Sequence, residues 1–341
     1  MNINDFIAAF IVPTGIGASI GGYAGDASPA VNLISKICPV ITNPNTVNAA
    51  VFSGINKNIL YTEGFAINSF FKGEIALRPT NHNKIGIILD KAIPKPVLNV
   101  HLNTINAVKT VYGIDILDYI QTKEEVGVNF SISESKISTG TVSNPDTLID
   151  SAQALIDKGA EALAVICYFE TPEDLEYSKG NGVDPVGGVE AVISHILTRK
   201  FKIPVAHAPA FGENSLKIDT ELVDPRVAAE YITPTFLPCI LLGLYNAPKL
   251  IDIEEASYFD ITPTSLKALI TPYDCLGSIP VLKAIEKNIP VIAVRDNQTI
   301  LDITSQALDL EDKVIEVTNY FEAAGYLLAL KEGISIKSII R

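Results

Sequence analysis

The side chains best suited to chemistry in this sequence are concentrated in the segment RPTNHNK, residues 78–84. Arg78 is of the type that binds a carboxylate or phosphate through paired hydrogen bonds, and His82 is of the type that moves protons near neutral pH. Lys84 would add positive charge here or lie solvated at the surface. This segment therefore predicts a place where a small anion is bound and exchanges a proton with the protein.

A glycine-rich segment at residues 14–26, TGIGASIGGYAGD, comes directly after the first apolar run. Glycine lets backbone amides approach a phosphate or carboxylate, and the helix expected next would offer further free N–H groups. No Gly-Lys-Ser/Thr follows, and the GxGxxxGG spacing departs from the GxGxxG dinucleotide fingerprint. The alternative is that the glycines serve tight packing alone, and Asp26 would cap the helix or hold a cation or a substrate hydroxyl. The candidate ligand-binding residues of this segment are Thr14, Gly15, Gly17, Gly21, Gly22 and Asp26.

Three asparagines, Asn43, Asn45 and Asn48, follow the second apolar run in NPNTVNAA. Their amides donate and accept hydrogen bonds without titrating, so they suit the orientation of a polar ligand, although Asn-Pro is also typical of a turn. Glu63 stands beside a glycine at the end of a further strand in YTEG. We expect Glu63 to take part in proton transfer.

A third group of polar residues lies in the middle of the chain. His207 follows a strand in VAHAPAF and is flanked by small residues, which makes it a better candidate for proton transfer than His195, whose surroundings are helical. The segment GNGVDPVGG, residues 180–188, precedes a helix and resembles a flexible lid or a second cradle for an anion.

The fourth group lies at residues 271–280, TPYDCLGSIP, where Asp274 and Cys275 end a strand. A helix begins directly after Cys275, a setting that lowers a thiol pKa and favours a catalytic thiolate, whereas a buried cysteine is the alternative. Arg295 and Asn297 end the neighbouring strand and are expected close to Asp274. Arg295 would bind carboxylate or phosphate there, or form a surface ion pair.

A metal site is not assigned by the sequence. The four histidines and four cysteines show no zinc-ligand spacing. Magnesium held by Asp26, Asp274 or Asp296 together with substrate oxygens stays open.

The elements that must position these side chains alternate between apolar strands and amphipathic helices. We predict strands at 6–12, 39–42, 84–89, 162–168, 204–208, 267–270, 290–294 and 313–317, and helices at 30–37, 97–112, 144–158, 185–199, 279–287 and 320–331. This order predicts an α/β fold of two Rossmann-like units with mainly parallel sheets covered by helices. We divide it into an N-terminal domain, 1–137, with the glycine-rich segment, and a C-terminal domain, 138–341.

Length and charge narrow the class of protein. The 341 residues suffice for about two domains, and 48% of them are hydrophobic, which excludes a disordered chain. With 26 basic against 39 acidic residues and no basic run, the chain has little attraction for nucleic acid or an anionic membrane surface. The cysteines are widely spaced, and the opening MNIND lacks the positive region of a signal peptide, so we expect reduced thiols and a cytoplasmic protein.

Two uncharged stretches, 6–25 and 231–248, have the length of a membrane span. Their glycines and prolines leave little regular helix, and buried segments of α/β proteins are equally apolar. We therefore expect no membrane span.

Four segments together, VPTGIGASIGGYAGDASPA, NPNTVNAA, RPTNHNK and the stretch from PYDCLGSIP to VIAVRDN, resemble a family known only as a domain of unknown function. The likeness extends over most of the chain. It implies a shared site and names no reaction, so no residue role is transferred from it.

The leading hypothesis is an enzyme that holds a small anionic metabolite, phosphorylated or not, in a cleft between the two units. The glycine-rich segment with Arg78 or Arg295 would bind it, and His82, Glu63 and His207 would transfer protons. One alternative is a cysteine-dependent isomerase or racemase that uses Cys275 and Cys167. Another is a metabolite-binding or regulatory protein without chemistry. Substrate, reaction class and the number of subunits in a homo-oligomer stay open.

Overall fold

The computed structural model describes residues 6–23, 25–170, 176–218 and 220–339, so that Ala24 of the glycine-rich segment lies outside the described residues. The strands are β1 (Ile7–Phe10), β2 (Val40–Thr42), β3 (Ile59–Tyr61), β4 (Ile75–Arg78), β5 (Ile85–Leu89), β6 (Ile116–Gln121), β7 (Val128–Ile132), β8 (Ser138–Val142), β9 (Ala162–Tyr168), β10 (Val205–Ala210), β11 (Lys249–Asp252), β12 (Leu266–Pro272), β13 (Val291–Val294) and β14 (Val314–Val317). The α-helices are α1 (Ser28–Ser35), α2 (Pro44–Val47), α3 (Gly64–Lys72), α4 (Lys95–Tyr112), α5 (Pro145–Asp157), α6 (Gly187–Phe201), α7 (Ala228–Tyr231), α8 (Leu237–Tyr245), α9 (Ile279–Glu286) and α10 (Tyr320–Glu332).

Six parallel strands form the larger sheet, in the order β3-β2-β1-β12-β13-β14. Strands β1, β2 and β13 are buried at every position, as expected of parallel strands that helices cover on both faces. The chain runs outward from β1 to β3 on one side and from β12 to β14 on the other. Ligands of open parallel sheets bind beyond the carboxyl ends of the strands at such a change of direction.

Four parallel strands form the second sheet, in the order β10-β9-β5-β6. Neighbouring residues of β9 point to opposite faces, where Ala164 joins the apolar cluster with α4 and α8 and Leu163 joins the cluster with α5 and α6. The sheet is therefore buried between two layers of helices, and α6 lies on the face that bears His207 of β10.

The two sheets take their strands from different parts of the chain, and these parts do not match the predicted domains. The six-stranded sheet takes its strands from both ends of the chain, whereas the four-stranded sheet takes strands from the middle. Residue 137 lies in the turn between β7 and β8, which pair as an antiparallel hairpin. The division into 1–137 and 138–341 stays a prediction about domains, and the two sheets do not follow it.

The predicted α/β architecture with mainly parallel sheets is confirmed. Two antiparallel pairs add to it, β4 with β11 and β7 with β8. Within the part of the chain that the structure describes, no helix is both long enough and apolar enough to cross a membrane. The uncharged stretch 231–248 contains α8, a helix of nine residues.

Candidate functional site

A cavity of about 800 Å³ lies between the two sheets. Its wall includes residues that follow β1, β2, β3 and β12 of the six-stranded sheet, together with residues of β10 and the face of α6. The cavity is therefore at the carboxyl ends of the strands, where parallel sheets bind ligands. Its polar lining residues are Thr14, Asn43, Asn45, Asn48, Glu63, Asn68, Tyr177, Asp184, Glu190, Ser194, His195, His207, Asn214, Ser215, Lys217, Glu230, Tyr231, Thr233 and Ser278.

Helix α6 forms the longest continuous part of the cavity wall. Gly187, Glu190, Ala191 and Ser194 all line the cavity. Their spacing of three or four residues places them on one face of the helix. His195, the next residue, also reaches the cavity, so α6 carries an acid and a histidine about one and a half helical turns apart.

Glu63 joins the two halves of the cavity wall. It is the N-cap of α3, where Oε2 accepts hydrogen bonds from the amides of Phe65 at 2.7 Å and Ala66 at 3.3 Å. Its other oxygen, Oε1, lies 2.9 Å from Nε2 of His195. Burial lowers the pKa of His195, but the hydrogen bond and the charge of Glu63 outweigh it, and the net shift is upward. Glu63 thus favours the imidazolium form of His195.

His207 has the opposite electrostatic setting. Burial and the neighbouring charge of His195 lower the pKa of His207 to about 3, so its ring is neutral at pH 7. Its Nδ1 lies 2.9 Å from Oγ of Ser194. Ser194 Oγ also donates to Oε1 of Glu63 at 3.4 Å. One network therefore connects both histidines through Glu63 and Ser194.

The other end of the cavity is rich in carboxyl groups. Glu190 is 7% exposed, and its pKa is raised well above the ordinary value by burial and by the nearby carboxyl groups of Asp184 and Glu230. The phenol of Tyr177 donates to Oε1 of Glu230 at 3.2 Å. Among the described lining residues, Lys217 is the sole lysine or arginine.

The glycine-rich segment contributes only part of its length to the cavity. Thr14 and Gly22 line it, whereas Gly15, Gly17 and Gly21 do not. Gly17 has a φ of +60°, and a Cβ there would lie 2.3 Å from a backbone oxygen of the 180–188 segment. Close packing between two backbone segments is therefore what the chain requires at Gly17.

Three consecutive amides of the glycine-rich segment donate to the protein itself. The amide of Ser19 donates to a backbone oxygen at 2.7 Å, and that of Ile20 to Oδ1 of Asn297 at 2.9 Å. The amide of Gly21 donates to Asp26, whose pKa burial raises to about 6. Asp26 holds the segment in place and makes no cap bond to α1.

The three asparagines line the cavity as a group but differ in their contacts. Asn43 is held to β1, because its Nδ2 donates to the backbone oxygen of Val12 at 2.8 Å. Asn45 donates to a backbone oxygen of the glycine-rich segment at 3.0 Å, and Asn48 accepts from the phenol of Tyr61 at 3.0 Å. Asn45 Oδ1 and Asn48 Nδ2 have no further partner among the described residues, which leaves an acceptor and a donor facing the cavity.

The predicted cations lie elsewhere. Arg78 pairs with Asp260 through two hydrogen bonds of 2.7 and 2.8 Å, and His82 is exposed outside the cavity. Arg295 pairs with Glu316 at the surface. The structure does not bring these three residues to the cavity or to one another.

The residues of the fourth predicted group also lie outside the cavity. Asp274 accepts from a backbone amide at 2.9 Å, and Asn297 donates to the phenol of Tyr320 at 2.7 Å. Cys275 is 3% exposed, and burial raises the pKa of its thiol to about 12. Burial also raises the pKa of Cys167. Neither thiol has the setting of a thiolate nucleophile.

The described residues hold no group of three or more histidine, cysteine, aspartate or glutamate side chains placed to bind a metal ion. Two of the aspartates considered for magnesium, Asp26 and Asp274, accept hydrogen bonds from backbone amides instead.

Sequence reasoning missed His195, Ser194 and Glu190. All three lie within a continuous helix, whereas the sequence analysis looked for site residues at the ends of strands. Their spacing gave a signal, since Glu190 and Ser194 lie four residues apart behind the flagged 180–188 segment.

Fold and site together define an α/β protein of Rossmann-like architecture with a polar cavity at the carboxyl ends of its strands. The chain belongs to the family described as protein of unknown function DUF3326, whose model matches residues 7–340. This finding confirms the resemblance seen in the sequence. The chain is 37% identical over 334 residues to an uncharacterized lipoprotein of Synechococcus sp., covering 96% of this chain and 91% of that protein. No solved structure matches it.

Proposed function

We propose that the protein is an enzyme that performs acid–base chemistry on a small polar metabolite bound in the cavity. The observation that carries the proposal is the pair of histidines on one hydrogen-bond network, with pKa values displaced in opposite directions. Such pairs of titratable groups are typical of an acid and a base that act in one site.

His207 is the base in this proposal. The single hydroxyl hydrogen of Ser194 has two acceptors within reach, the backbone oxygen of Ala191 and Oε1 of Glu63, so the Ser194 oxygen is placed to accept from a protonated Nδ1 of His207. That tautomer leaves the lone pair on Nε2, which makes no hydrogen bond with a described residue. His207 lines the cavity, and a neutral Nε2 is able to accept a proton from a bound substrate.

His195 is the acid. Its Nε2–H is directed to Glu63, which stabilises the charged ring and fixes its orientation. Proton removal by one group and proton return by another serves isomerisation and elimination alike. The proposal therefore covers an isomerase or a lyase.

The cavity lining brings few positive charges that could bind an anion. Arg78 and Arg295 are engaged by Asp260 and Glu316 outside the cavity, and only Lys217 brings a fixed positive charge to the wall. We therefore propose a polar substrate without a phosphate group. The cysteine-dependent alternative receives no support from its buried thiols.

We also propose a cytoplasmic location. All four cysteines are free and buried, as suits a reducing compartment. The Synechococcus relative is called a lipoprotein. In this chain a lipid on any of the four cysteines would have to displace packed core.

The test is turnover of a protein-free extract of bacterial metabolites, followed by mass spectrometry. We expect wild type to convert at least one compound and His207→Gln to slow this by about 10²–10⁴-fold. His82→Gln is the matched control, because it changes an exposed histidine outside the cavity. A compound retained without conversion would indicate a binding protein, and wild-type rates in His207→Gln would overturn the assignment of the base.

A further inference from the structure

We infer that the substrate carries an amine, and that its ammonium group binds at the end of the cavity formed by Asp184, Glu190 and Glu230. This inference rests on the proposed function, since it places the histidine pair at the reacting end of the same molecule. It names the chemical class of the substrate, which the histidines alone leave open.

Glu190 is the observation that points to a ligand. Its side chain is 7% exposed, and its Oε1 is sealed from solvent with no hydrogen-bond partner. Its Oε2 makes no hydrogen bond with a described residue either, yet the side chain lines the cavity. A buried carboxyl group without partners is costly, so a group from outside the chain that donates to it would bind there favourably.

The neighbours of Glu190 favour a positively charged donor. Asp184 and Glu230 are close enough to raise the pKa of Glu190, and no arginine or lysine lies near enough to appear among the causes. Tyr177 and Tyr231 line the same cavity with Phe211 and Phe236. Aromatic faces and carboxylates together are the surroundings in which proteins bind ammonium groups.

The start of α6 does not oppose this. A free helix N-terminus would repel a cation. Here Asp184 accepts from the amide of Val186 at 3.0 Å, directly before the first residue of α6. Asp184 therefore occupies a free amide at the start of the helix next to Glu190.

The spacing along α6 sets the size of the substrate. Glu190 and Ser194 lie four residues apart, which corresponds to about 6 Å along a helix. The two residues that would hold the ammonium group and the reacting end are thus roughly 6 Å apart at the backbone. A small amine whose reacting carbon or hydroxyl lies several bonds from the nitrogen fits this distance.

Binding of the ammonium group would release a proton. In the free cavity, burial and two neighbouring acids raise the pKa of the Glu190 carboxyl and so favour its protonated form. The incoming cation favours the carboxylate, so the Glu190 O–H bond breaks, the proton passes to solvent and an ion pair remains. Proton uptake by the buffer then accompanies binding.

The experiment measures binding of butylamine and of 1-butanol to the full chain at pH 7 by titration calorimetry in phosphate and in HEPES. We expect butylamine to bind at least tenfold more tightly than 1-butanol, with proton release that makes the heat differ between the two buffers. In Glu190→Gln both the preference and the proton release are lost. Glu134→Gln, an exposed acid in the turn between β7 and β8, serves as the matched control and keeps both.

The outcomes separate this inference from the proposed function. Equal binding of the amine and the alcohol to wild type, or an unchanged preference in Glu190→Gln, overturns the inference and leaves the histidine pair untouched. His207→Gln is expected to bind butylamine like wild type while losing turnover. Normal turnover in that variant would overturn the proposed function whatever the amine result.

Discussion

Glu63 and Glu190 line the same cavity, yet their contacts give the two carboxyl groups opposite tasks. Glu63 accepts hydrogen bonds from two backbone amides and from His195, so both of its carboxylate oxygens have partners within the protein. The side chain of Glu190 is buried and makes no hydrogen bond with a described residue. Glu63 therefore raises the pKa of His195, whereas Glu190 is the carboxyl group that a ligand would bind.

Substitution of Glu190 should change the dependence of stability on pH. The folded-state pKa of Glu190 lies above its unfolded value, so the folded chain holds the proton over a range where the unfolded chain loses it. This contribution to stability is complete below the unfolded pKa and is lost as the pH rises through the folded pKa. Glu190→Gln removes this titration. We therefore expect the stability of the variant relative to wild type to be about 1–3 kcal/mol higher at pH 8 than at pH 5.

Thermal and denaturant unfolding at pH 5 and pH 8 measure this difference. Glu134→Gln is again the control, since its carboxyl group is exposed. A gain in stability that is the same at both pH values would show that Glu190 is ionised in the folded chain, contrary to the expectation.

At the scale of elements, Asn43 shows how a strand end is fixed to the next helix. Its Nδ2 donates to the backbone oxygen of Val12, and its Oδ1 accepts from the amide of Val12 at 3.3 Å and from Thr46 Oγ1 at 2.7 Å. Asn43 is 6% exposed, so no water replaces these bonds easily. Asn43 therefore lines the cavity because its hydrogen bonds hold the segment after β1 against α2.

We therefore expect Asn43→Ala to lower the free energy of unfolding by about 2–4 kcal/mol, because the buried backbone oxygen of Val12, just after β1, loses its donor and the hydroxyl of Thr46 loses its acceptor. Asn45→Ala, which removes one hydrogen bond at a partly exposed site, should cost less than about 1 kcal/mol. Urea unfolding of both variants gives the comparison. Similar losses in the two would argue against a structural role specific to Asn43.

The sequence indicated the elements with strong periodicity and clear boundaries. The strand predicted at 162–168 is β9 residue for residue, and the helix predicted at 144–158 is α5 with ends shifted by one residue. Helix α8 was not predicted, because LPCILLGLY is apolar on every face and shows no helical period. Strands β4 and β11 were missed as well, since their partners lie far away in the sequence.

Position along the strands led to two residues that line the cavity, but it could not show which cations are paired elsewhere. Glu63 follows β3 as predicted, whereas His207, predicted to follow a strand, lies within β10; both line the cavity. Arg78 and Arg295 also lie at strand ends, but Asp260 and Glu316, distant in the sequence, pair with them away from the cavity. Such pairing cannot be read from spacing along the chain.

At the scale of the whole molecule, the site exists only where the two sheets meet. Glu63 follows β3 of the six-stranded sheet, whereas His195 lies on α6 beside the four-stranded sheet. Their contact therefore depends on the packing of parts that are far apart in the chain. The same packing supplies the asparagine side of the cavity from one sheet and the carboxyl-rich side from segments around the other.

The central claim is that this assembly lowers the pKa of His207 and raises the pKa of His195 within one network. An NMR titration of the imidazole rings from pH 5 to pH 8, assigned with single His→Gln variants, tests it most directly. We expect His207 not to titrate in this range, since its pKa is about 3, and His195 to titrate above its ordinary value and to lose that upward shift in Glu63→Gln. Titration of both rings near their ordinary pKa, unaffected by Glu63→Gln, would contradict the acid–base pair and with it the proposed chemistry.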